Sequence, residues 1–257
     1  MNRILFSVAA VALFAVPAFA ADLPARAPIY TKVPPPPVYS WNGCNLNAGV
    51  GYGLWKQDHF GETFPGLVAT TATSTAGGRG WLGRVGGGCD YQIDSRWVIG
   101  AFADYDFMNL RGTFNESFFG DLGNEKETGA WSVGGRIGYL VTPSLLTYFD
   151  GGYTQARFSQ INLFTAAGAP LLTPLDIASH TYNGWFIGGG AEYNLGWLPG
   201  LFWRNEIRYA SYQAADLPVV FTATGVPTIG ADHVKKYVQT YTSSLVWRFN
   251  WWGGPSY

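Results

Sequence analysis

The feature that most constrains this chain is a two-residue alternation of apolar and polar side chains in residues 237–249. One face of this run collects Leu245, Trp247 and Phe249, and the other face carries Arg248. Successive side chains of a strand point to opposite faces, so a period of two predicts a strand that is buried on one side only. A chain made of such runs satisfies its backbone hydrogen bonds by pairing them into a sheet.

The same alternation recurs upstream in seven further segments. Each sets aromatic and branched residues on one face against polar residues or glycines on the other; in residues 43–56, Leu46, Val50 and Leu54 lie opposite Asn45. Together with the last run they predict eight strands, at residues 43–56, 79–92, 96–108, 129–141, 145–158, 183–194, 202–210 and 237–249.

The connections between the predicted strands alternate in length. The short ones are residues 94–95, 142–144 and 196–200, and the long ones are residues 57–78, 109–128, 159–182 and 211–235. A soluble domain seldom carries several loops of that length, but outer-membrane barrels have short turns at one rim and long loops at the other. We therefore predict an all-β fold, an eight-stranded antiparallel up-and-down transmembrane β-barrel, with both termini periplasmic and four long extracellular loops.

The charges within the predicted strands fall on the face opposite the aromatic and branched residues. A charge that faces lipid at mid-membrane costs about 2–4 kcal/mol, whereas charges that face a lumen can pair with one another. Arg157 departs from this rule, and the neutral polar residues Asn205 and Ser243 also lie on the lipid-facing side. The predicted lumen charges are Arg84, Asp104, Asp106, Arg136, Asp150, Glu192, Arg204, Glu206, Arg208 and Arg248.

Composition excludes several other classes of protein. Charged residues make up 13% and aromatic residues 17% of the chain, and the formal net charge is −1. A nucleic-acid-binding protein would carry a basic face, and a disordered chain would be richer in charge. Beyond the first 20 residues the sequence contains no run of 18 apolar residues, so it predicts no membrane-spanning helix.

The two ends of the chain differ from the alternating part. Residues 1–20 hold a basic residue, an apolar stretch and Ala18-Phe19-Ala20, which is the pattern of a cleaved signal peptide. Residues 21–40 are rich in proline and predict an extended periplasmic segment without a core. The barrel is expected at residues 41–249, followed by a short tail at residues 250–257.

Cys44 and Cys89 are the only cysteines, in a chain bound for an oxidising compartment. Both fall on the outward face of adjacent predicted strands, and pairing them places Leu54 opposite Arg79, in agreement with the predicted strand limits. Directly opposed Cα atoms lie about 4.5–5.5 Å apart, within the range of a disulfide. We predict a cross-strand disulfide; the alternative is two separate buried thiols.

No residue set has the spacing of a catalytic, cofactor or metal site. His59, His180 and His233 fall in different predicted loops, where solvated histidines are far commoner than a zinc site. Without a histidine on a predicted strand, no Ser-His-carboxylate set can be assembled. We therefore expect no enzyme activity, no bound metal, no cofactor and no nucleic acid.

Several short motifs resemble a known family, the small outer-membrane immunogenic proteins of α-proteobacteria, commonly labelled porin-like barrels. The motifs are ADLP at residues 21–24, WNG at 41–43, RIGY at 136–139, GGGAEY at 188–193, EIRY at 206–209 and VWRF at 246–249. The resemblance implies an eight-stranded barrel exposed at the cell surface. One departure is the tail, because such chains typically stop at the last aromatic residue of the closing strand.

The closing strand also resembles the signal that the barrel assembly machinery reads. Leu245, Trp247 and Phe249 would form this assembly signal. The partners implied are this machinery, periplasmic chaperones, and outer-membrane lipid and lipopolysaccharide. The sequence leaves the choice between a monomer and a homo-oligomer open.

Two functions remain open from the sequence. Eight strands enclose an interior just wide enough for side chains to fill, so paired lumen charges favour a plugged barrel with a structural role in the envelope. The glycines on the lumen face of the first strand, Gly49, Gly51 and Gly53, leave room for a thin water path, which favours a narrow porin. A soluble lipocalin-type carrier is disfavoured because its outer face would be polar.

Overall fold

A computed structural model describes residues 40–249. The predicted signal peptide, the proline-rich segment up to residue 39 and the tail at residues 250–257 lie outside the described residues. The strands are β1 (Gly43–Thr63), β2 (Ser74–Gln92), β3 (Trp97–Asn115), β4 (Leu122–Thr142), β5 (Leu145–Phe158), β6 (Ile161–Phe164), β7 (Leu175–Ile177), β8 (His180–Asn194), β9 (Leu201–Tyr212), β10 (Ala215–Phe221) and β11 (Pro227–Phe249). Between residues 40 and 249 there is no helix long and apolar enough to cross a membrane.

The sheet closes on itself because its first and last strands pair. In β1, Cys44 lies opposite Cys89 of β2 on one side and opposite Phe249 of β11 on the other. Around the ring the order is β1, β2, β3, β4, β5, β8, β9 and β11, and every neighbouring pair is antiparallel. The predicted eight-stranded up-and-down barrel is confirmed.

The three short strands β6, β7 and β10 prolong the barrel wall. β6 follows β5, β7 precedes β8 and β10 follows β9, each after a break of two residues. β6 pairs with β4 and β7, and β10 pairs with β7 and β11, so each short strand has the neighbours of the strand it prolongs. The eleven segments are therefore eight strands, three of which are interrupted.

The barrel has one end with short connections, which we call the turn end, and one with long connections, which we call the loop end. At the loop end β1 runs to Thr63 instead of residue 56, and β11 starts at Pro227 instead of residue 237. The prediction that the four long connections are loops throughout was therefore wrong for much of their length. Beyond the lipid neither face of a strand has to be apolar, so the alternation that reveals a strand fades there.

The outward face of the ring carries an apolar band. Val50, Phe149 and Ile207 are exposed in its middle. Aromatic residues bound the band on both sides: Tyr52, Trp81, Trp131, Tyr153 and Trp185 toward the loop end, and Tyr91, Trp97, Tyr193, Trp203 and Trp247 toward the turn end. An apolar band between two aromatic belts is the surface of a barrel that sits in lipid.

Candidate functional site in the barrel lumen

Near the turn end, three arginines and two carboxylates form one network inside the barrel. The Glu192 carboxylate lies 2.8 Å from Arg204 Nη2, 2.7 Å from Arg248 Nε and 3.4 Å from Arg136 Nη1. Asp90 pairs with Arg136 and lies 2.8 Å from Arg248 Nη1. The alternation of each strand turns these side chains inward, where a guanidinium fork can bridge two carboxylates.

A second network lies nearer the loop end and is richer in carboxylates. Arg84 Nη1 and Arg208 Nε share Glu206, each at 2.5 Å from its Oε1 atom. The other carboxylates, each with its distance to an arginine nitrogen, are Asp106 at 2.6 Å, Asp104 at 2.7 Å and Asp150 at 3.3 Å. The structure thus places all ten predicted lumen charges in these two networks.

Two members of the networks are not among the ten predicted lumen charges. Asp90 is one, and Asn45 Nδ2 donates to it at 3.3 Å. Tyr148 is another, and its hydroxyl donates to Glu206 Oε2 at 2.7 Å. A signal for Asp90 existed, because it shares a face with Arg84 six residues earlier. Tyr148 carries the same signal, because it shares a face with Asp150 two residues later, but aromatic residues were assigned to the lipid-facing side.

The loop-side half of the lumen is filled by an apolar plug. The ring centroids of Trp55 and Phe158 lie 5.9 Å apart, and those of Phe158 and Tyr182 lie 5.6 Å apart. The buried side chains of this plug include Leu82, Met108, Leu110, Phe114, Ala156, Phe186, Tyr212, Val234 and Val238. Close-packed side chains of this kind leave no continuous space for water.

Lys236 lies inside the plug and is fully buried. Its Nζ atom is 2.7 Å from Glu125 Oε1 and also contacts Gln57 Oε1. The same atom lies 4.2 Å from the centre of the Phe158 ring and 5.0 Å from that of Trp55. A carboxylate and aromatic ring faces both attract an ammonium group, so they hold the Lys236 side chain in place inside the plug.

One small cavity lies in the middle of the lumen. It lies beside Arg84, Asp106 and Arg208 and has a volume of about 20 Å³, which is roughly the space of one water molecule. The expected water path along the glycines of β1 is absent: a Cβ atom at Gly53 would lie 2.7 Å from Leu110 Cδ2. The expectation was wrong because a neighbouring side chain, and not water, occupies the space that the glycine leaves.

Cys44 and Cys89 are joined by a disulfide across β1 and β2. The same register places Leu54 opposite Arg79. The structure therefore holds the crosslink and not two separate thiols. It ties β1 to β2 near the turn end, where β1 also closes the ring with β11.

The prediction that no histidine lies on a strand was wrong, since His59 lies in β1, His180 in β8 and His233 in β11. His59 Nε2 is 2.7 Å from the carbonyl oxygen of Asn115 and 2.9 Å from Ser74 Oγ. A hydrogen bond to the carbonyl requires a proton on Nε2, so this nitrogen cannot accept the serine proton. Because an orienting carboxylate is also missing among the described partners of Nδ1, the pair lacks the arrangement of an activated nucleophile.

Glu62, Asp216 and His233 form the group that could hold a metal ion. One ligand atom from each lies within 4.8 Å of the others, on the outward face at the loop end. His233 Nδ1 lies 2.5 Å from Asp216 Oδ1. Burial and the neighbouring Asp216 carboxylate raise the pKa of Glu62. The hydrogen bond between His233 and Asp216 accounts for the closeness of these two side chains without a metal.

A pair of carboxyl groups lies over the lumen at the loop end. Glu116 accepts hydrogen bonds of 2.6–3.1 Å from the amides of residues 118–120. Asp232 Oδ1 accepts one of 3.1 Å from the amide of Ser117. Burial and the charge of Glu116 raise the pKa of Asp232 to about 8. At neutral pH Asp232 therefore holds a proton, which removes the repulsion between the two groups.

The chain is similar to proteins of known location. The 31 kDa outer-membrane immunogenic protein of Brucella melitensis biotype 1 is 32% identical over 197 residues, covering 74% of this chain and 79% of the relative. The protein of the same name from Brucella suis biovar 1 gives the same values. No family model matches the chain.

Solved structures that align with the chain include outer membrane protein OprG from Pseudomonas aeruginosa and outer membrane protein AlkL. OprG aligns with a TM-score of 0.49 and 12% identity over 81% of this chain and 97% of its own. AlkL aligns with a TM-score of 0.46 and 14% identity over 84% of this chain and 95% of its own. The Brucella match, with its 32% identity and 79% coverage, shows the family. The chain belongs to the family of the 31 kDa outer-membrane immunogenic proteins and is an integral outer-membrane β-barrel protein.

Proposed function

We propose that this outer-membrane protein is a closed barrel that supports the envelope and presents its loops at the cell surface, without conducting solutes. The observation that carries the proposal is the double closure of the lumen, by ion pairs in one half and by the apolar plug in the other. Opening the first half would separate desolvated charges, and opening the second would expose apolar side chains to water.

The narrow porin is the second candidate and predicts the opposite result in planar bilayers. We expect the purified, folded barrel to give no reproducible conductance steps, while a general diffusion porin inserted in the same membranes gives them. Protection of the barrel strands from added protease should accompany insertion, so that silence reflects a closed barrel and not a failed insertion. Reproducible steps that scale with protein concentration would overturn the closed barrel and establish the porin.

We further propose that the loop end is extracellular and that both termini are periplasmic. The support is the difference between the rims, since short turns face the periplasm in barrels of this kind. An epitope inserted at Gly168 or Gly225, where nothing lies within 4 Å of an added Cβ atom, should be detected on intact cells. The same epitope at Gly196, in the turn between β8 and β9, should be detected only after permeabilisation. The reverse pattern would contradict the orientation.

We also infer that the barrel is not an enzyme. The support is the geometry of His59, whose Nε2 proton is bound to a carbonyl oxygen. Overexpression should leave the masses of lipid A and phospholipids unchanged. A new lipid species that appears with the wild-type chain and disappears with Ser74→Ala would contradict this inference.

We propose that the end of β11 is the signal for the barrel assembly machinery. Leu245 and Trp247 point outward and are about half exposed. Their side chains are therefore accessible to the assembly machinery before the barrel enters the membrane. Replacement of Leu245, Trp247 and Phe249 by serine should slow membrane assembly in cells while leaving refolding in detergent possible. Normal assembly of this variant would contradict the proposal.

A further inference from the structure

A row of three cations crosses the outward face at the loop end. Arg79 of β2 lies directly opposite Arg111 of β3, and Arg111 lies directly opposite Lys126 of β4. Directly opposed residues have Cα atoms about 4.5–5.5 Å apart. Like charges at such positions repel one another, so this basic row is unfavourable unless an anion lies against it.

The described part of the chain supplies no such anion. The ion pairs formed within residues 40–249 involve none of the three side chains. Arg111 Nε donates to a neutral group, Asn109 Oδ1, at 3.0 Å. Lys56 shows the contrast, since it lies on the same face and its Nζ atom is 3.1 Å from Asp58.

A surface groove of about 550 Å³ lies between the last two cations of the row. Besides Arg111 and Lys126, it is lined by Thr113 and Asn124, which lie directly opposite each other two residues further along β3 and β4, and by Gly112 and Glu125. The Glu125 side chain is buried and pairs with Lys236 inside the barrel. A hydroxyl and an amide beside two cations are hydrogen-bond donors suited to phosphate oxygens.

The basic row lies at the edge of the lipid-facing band. Arg79 is two residues from Trp81, whose side chain is 69% exposed on the outward face. Tryptophan marks the boundary between acyl chains and headgroups. With the loop end outside the cell, the row therefore lies at the level of the headgroups of the outer leaflet.

We propose that the basic row and its groove bind the phosphate groups of a glycolipid of the lipid A class. The proposal rests on the orientation under Proposed function, because only the outer leaflet presents such a lipid to the loop end. A lipid-borne phosphate fits better than a soluble one, since its acyl chains can lie on the apolar band next to the cations. This assigns a specific surface to the expected contact with lipopolysaccharide.

Titration of the purified barrel in detergent micelles with bisphosphorylated lipid A, read by native mass spectrometry, tests the proposal. The test variant is Arg111→Gln with Lys126→Gln, and the matched control is Lys56→Gln with Lys235→Gln, which removes the same charge from the same face. We expect the test variant to bind about tenfold more weakly, as loss of two charge-assisted contacts implies, and the control to bind like the wild type. Dephosphorylated lipid A should bind all forms equally weakly.

Three results would overturn the basic row as a lipid site. Equal weakening in both variants would indicate general attraction of an anion. Equal binding of phosphorylated and dephosphorylated lipid A would show that phosphate is not recognised. Displacement of lipid A by inorganic phosphate at equal concentration would reassign the groove to a soluble anion. Micelles have no sidedness, so these results are independent of the epitope test of orientation and of the conductance test.

Discussion

In the turn-side half of the lumen, five arginines pair with six carboxylates, whereas in the loop-side half aromatic and aliphatic side chains exclude water around Lys236. Both halves are closed, but the first depends on ion pairs between charged side chains and the second on the close packing of apolar side chains. Removing the Glu192 carboxylate leaves the buried Arg204 without an ion-pair partner among residues 40–249, while removing one ring leaves only a cavity. The same alternating strands can therefore seal a narrow barrel either by ion pairs or by apolar packing.

The largest effect is expected where one carboxylate serves several cations. Glu192→Gln removes the charge that faces Arg136, Arg204 and Arg248. We expect a loss of about 3–5 kcal/mol in the free energy of unfolding, because the buried Arg204 loses its only carboxylate partner in the described part of the chain and Arg136 and Arg248 keep only Asp90. Urea unfolding of the refolded barrel in lipid vesicles measures it. Asp58→Asn, at the exposed pair with Lys56, is the control and should cost at most about 1 kcal/mol.

The plug should be somewhat less sensitive. Phe158→Ala removes a ring that packs against Trp55 and Tyr182, and we expect a loss of about 3 kcal/mol from the cavity that remains. The same unfolding measurement applies. Phe149→Ala is the matched control, because that ring is 76% exposed on the lipid-facing side and acyl chains can fill its place. Equal losses at both positions would show that the plug is not packed as described.

The disulfide should contribute less and mainly near the turn end. Cys44→Ser with Cys89→Ser is expected to lower the free energy of unfolding by about 2 kcal/mol, since the crosslink restricts the unfolded chain. A reducing agent should have the same effect on the wild type and none on the double variant. A reducing agent that destabilises the double variant equally would contradict the assignment.

The smallest expected effect is a local response to pH at the loop end. The pKa of Asp232 is raised from 3.8 to about 8, so the folded state binds its proton more tightly than the unfolded state does. The corresponding stability is fully present below pH 3.8, declines as the pH rises and is lost above about 8. Amide protection factors of residues 118–120 should fall over this range. In Asp232→Asn the part of this fall near pH 8 should disappear.

The fold could be predicted because lipid imposes a strict rule on one face of each strand. Arg84 and Asp106 were placed in the lumen because both oppose lipid-facing residues, and the structure pairs them at 2.6 Å. The rule ends where the lipid ends. The extensions of β1 and β11 at the loop end therefore left no pattern, and His59 was assigned to a loop although it lies on a strand.

The plug could not be predicted for a different reason. Phe158 and Tyr182 face the lumen, but an aromatic residue near a strand end is equally typical of an interfacial belt. Trp55 follows Leu54 at a strand end and was open to the same assignment. Both rings keep the alternation of their strands, since Phe158 shares a face with Asp150 and Tyr182 shares one with Glu192.

The closure of the lumen is tested most directly by the access of a small reagent to its wall. Thr242 is 2% exposed and lies next to Arg84, at the mid-lumen network, and a cysteine introduced there would meet any water path. We expect Thr242→Cys to stay unlabelled by a small charged thiol reagent in the folded barrel, while Thr224→Cys at an exposed loop is labelled fully. Labelling of Thr242→Cys at the rate of the loop position would contradict the closed lumen.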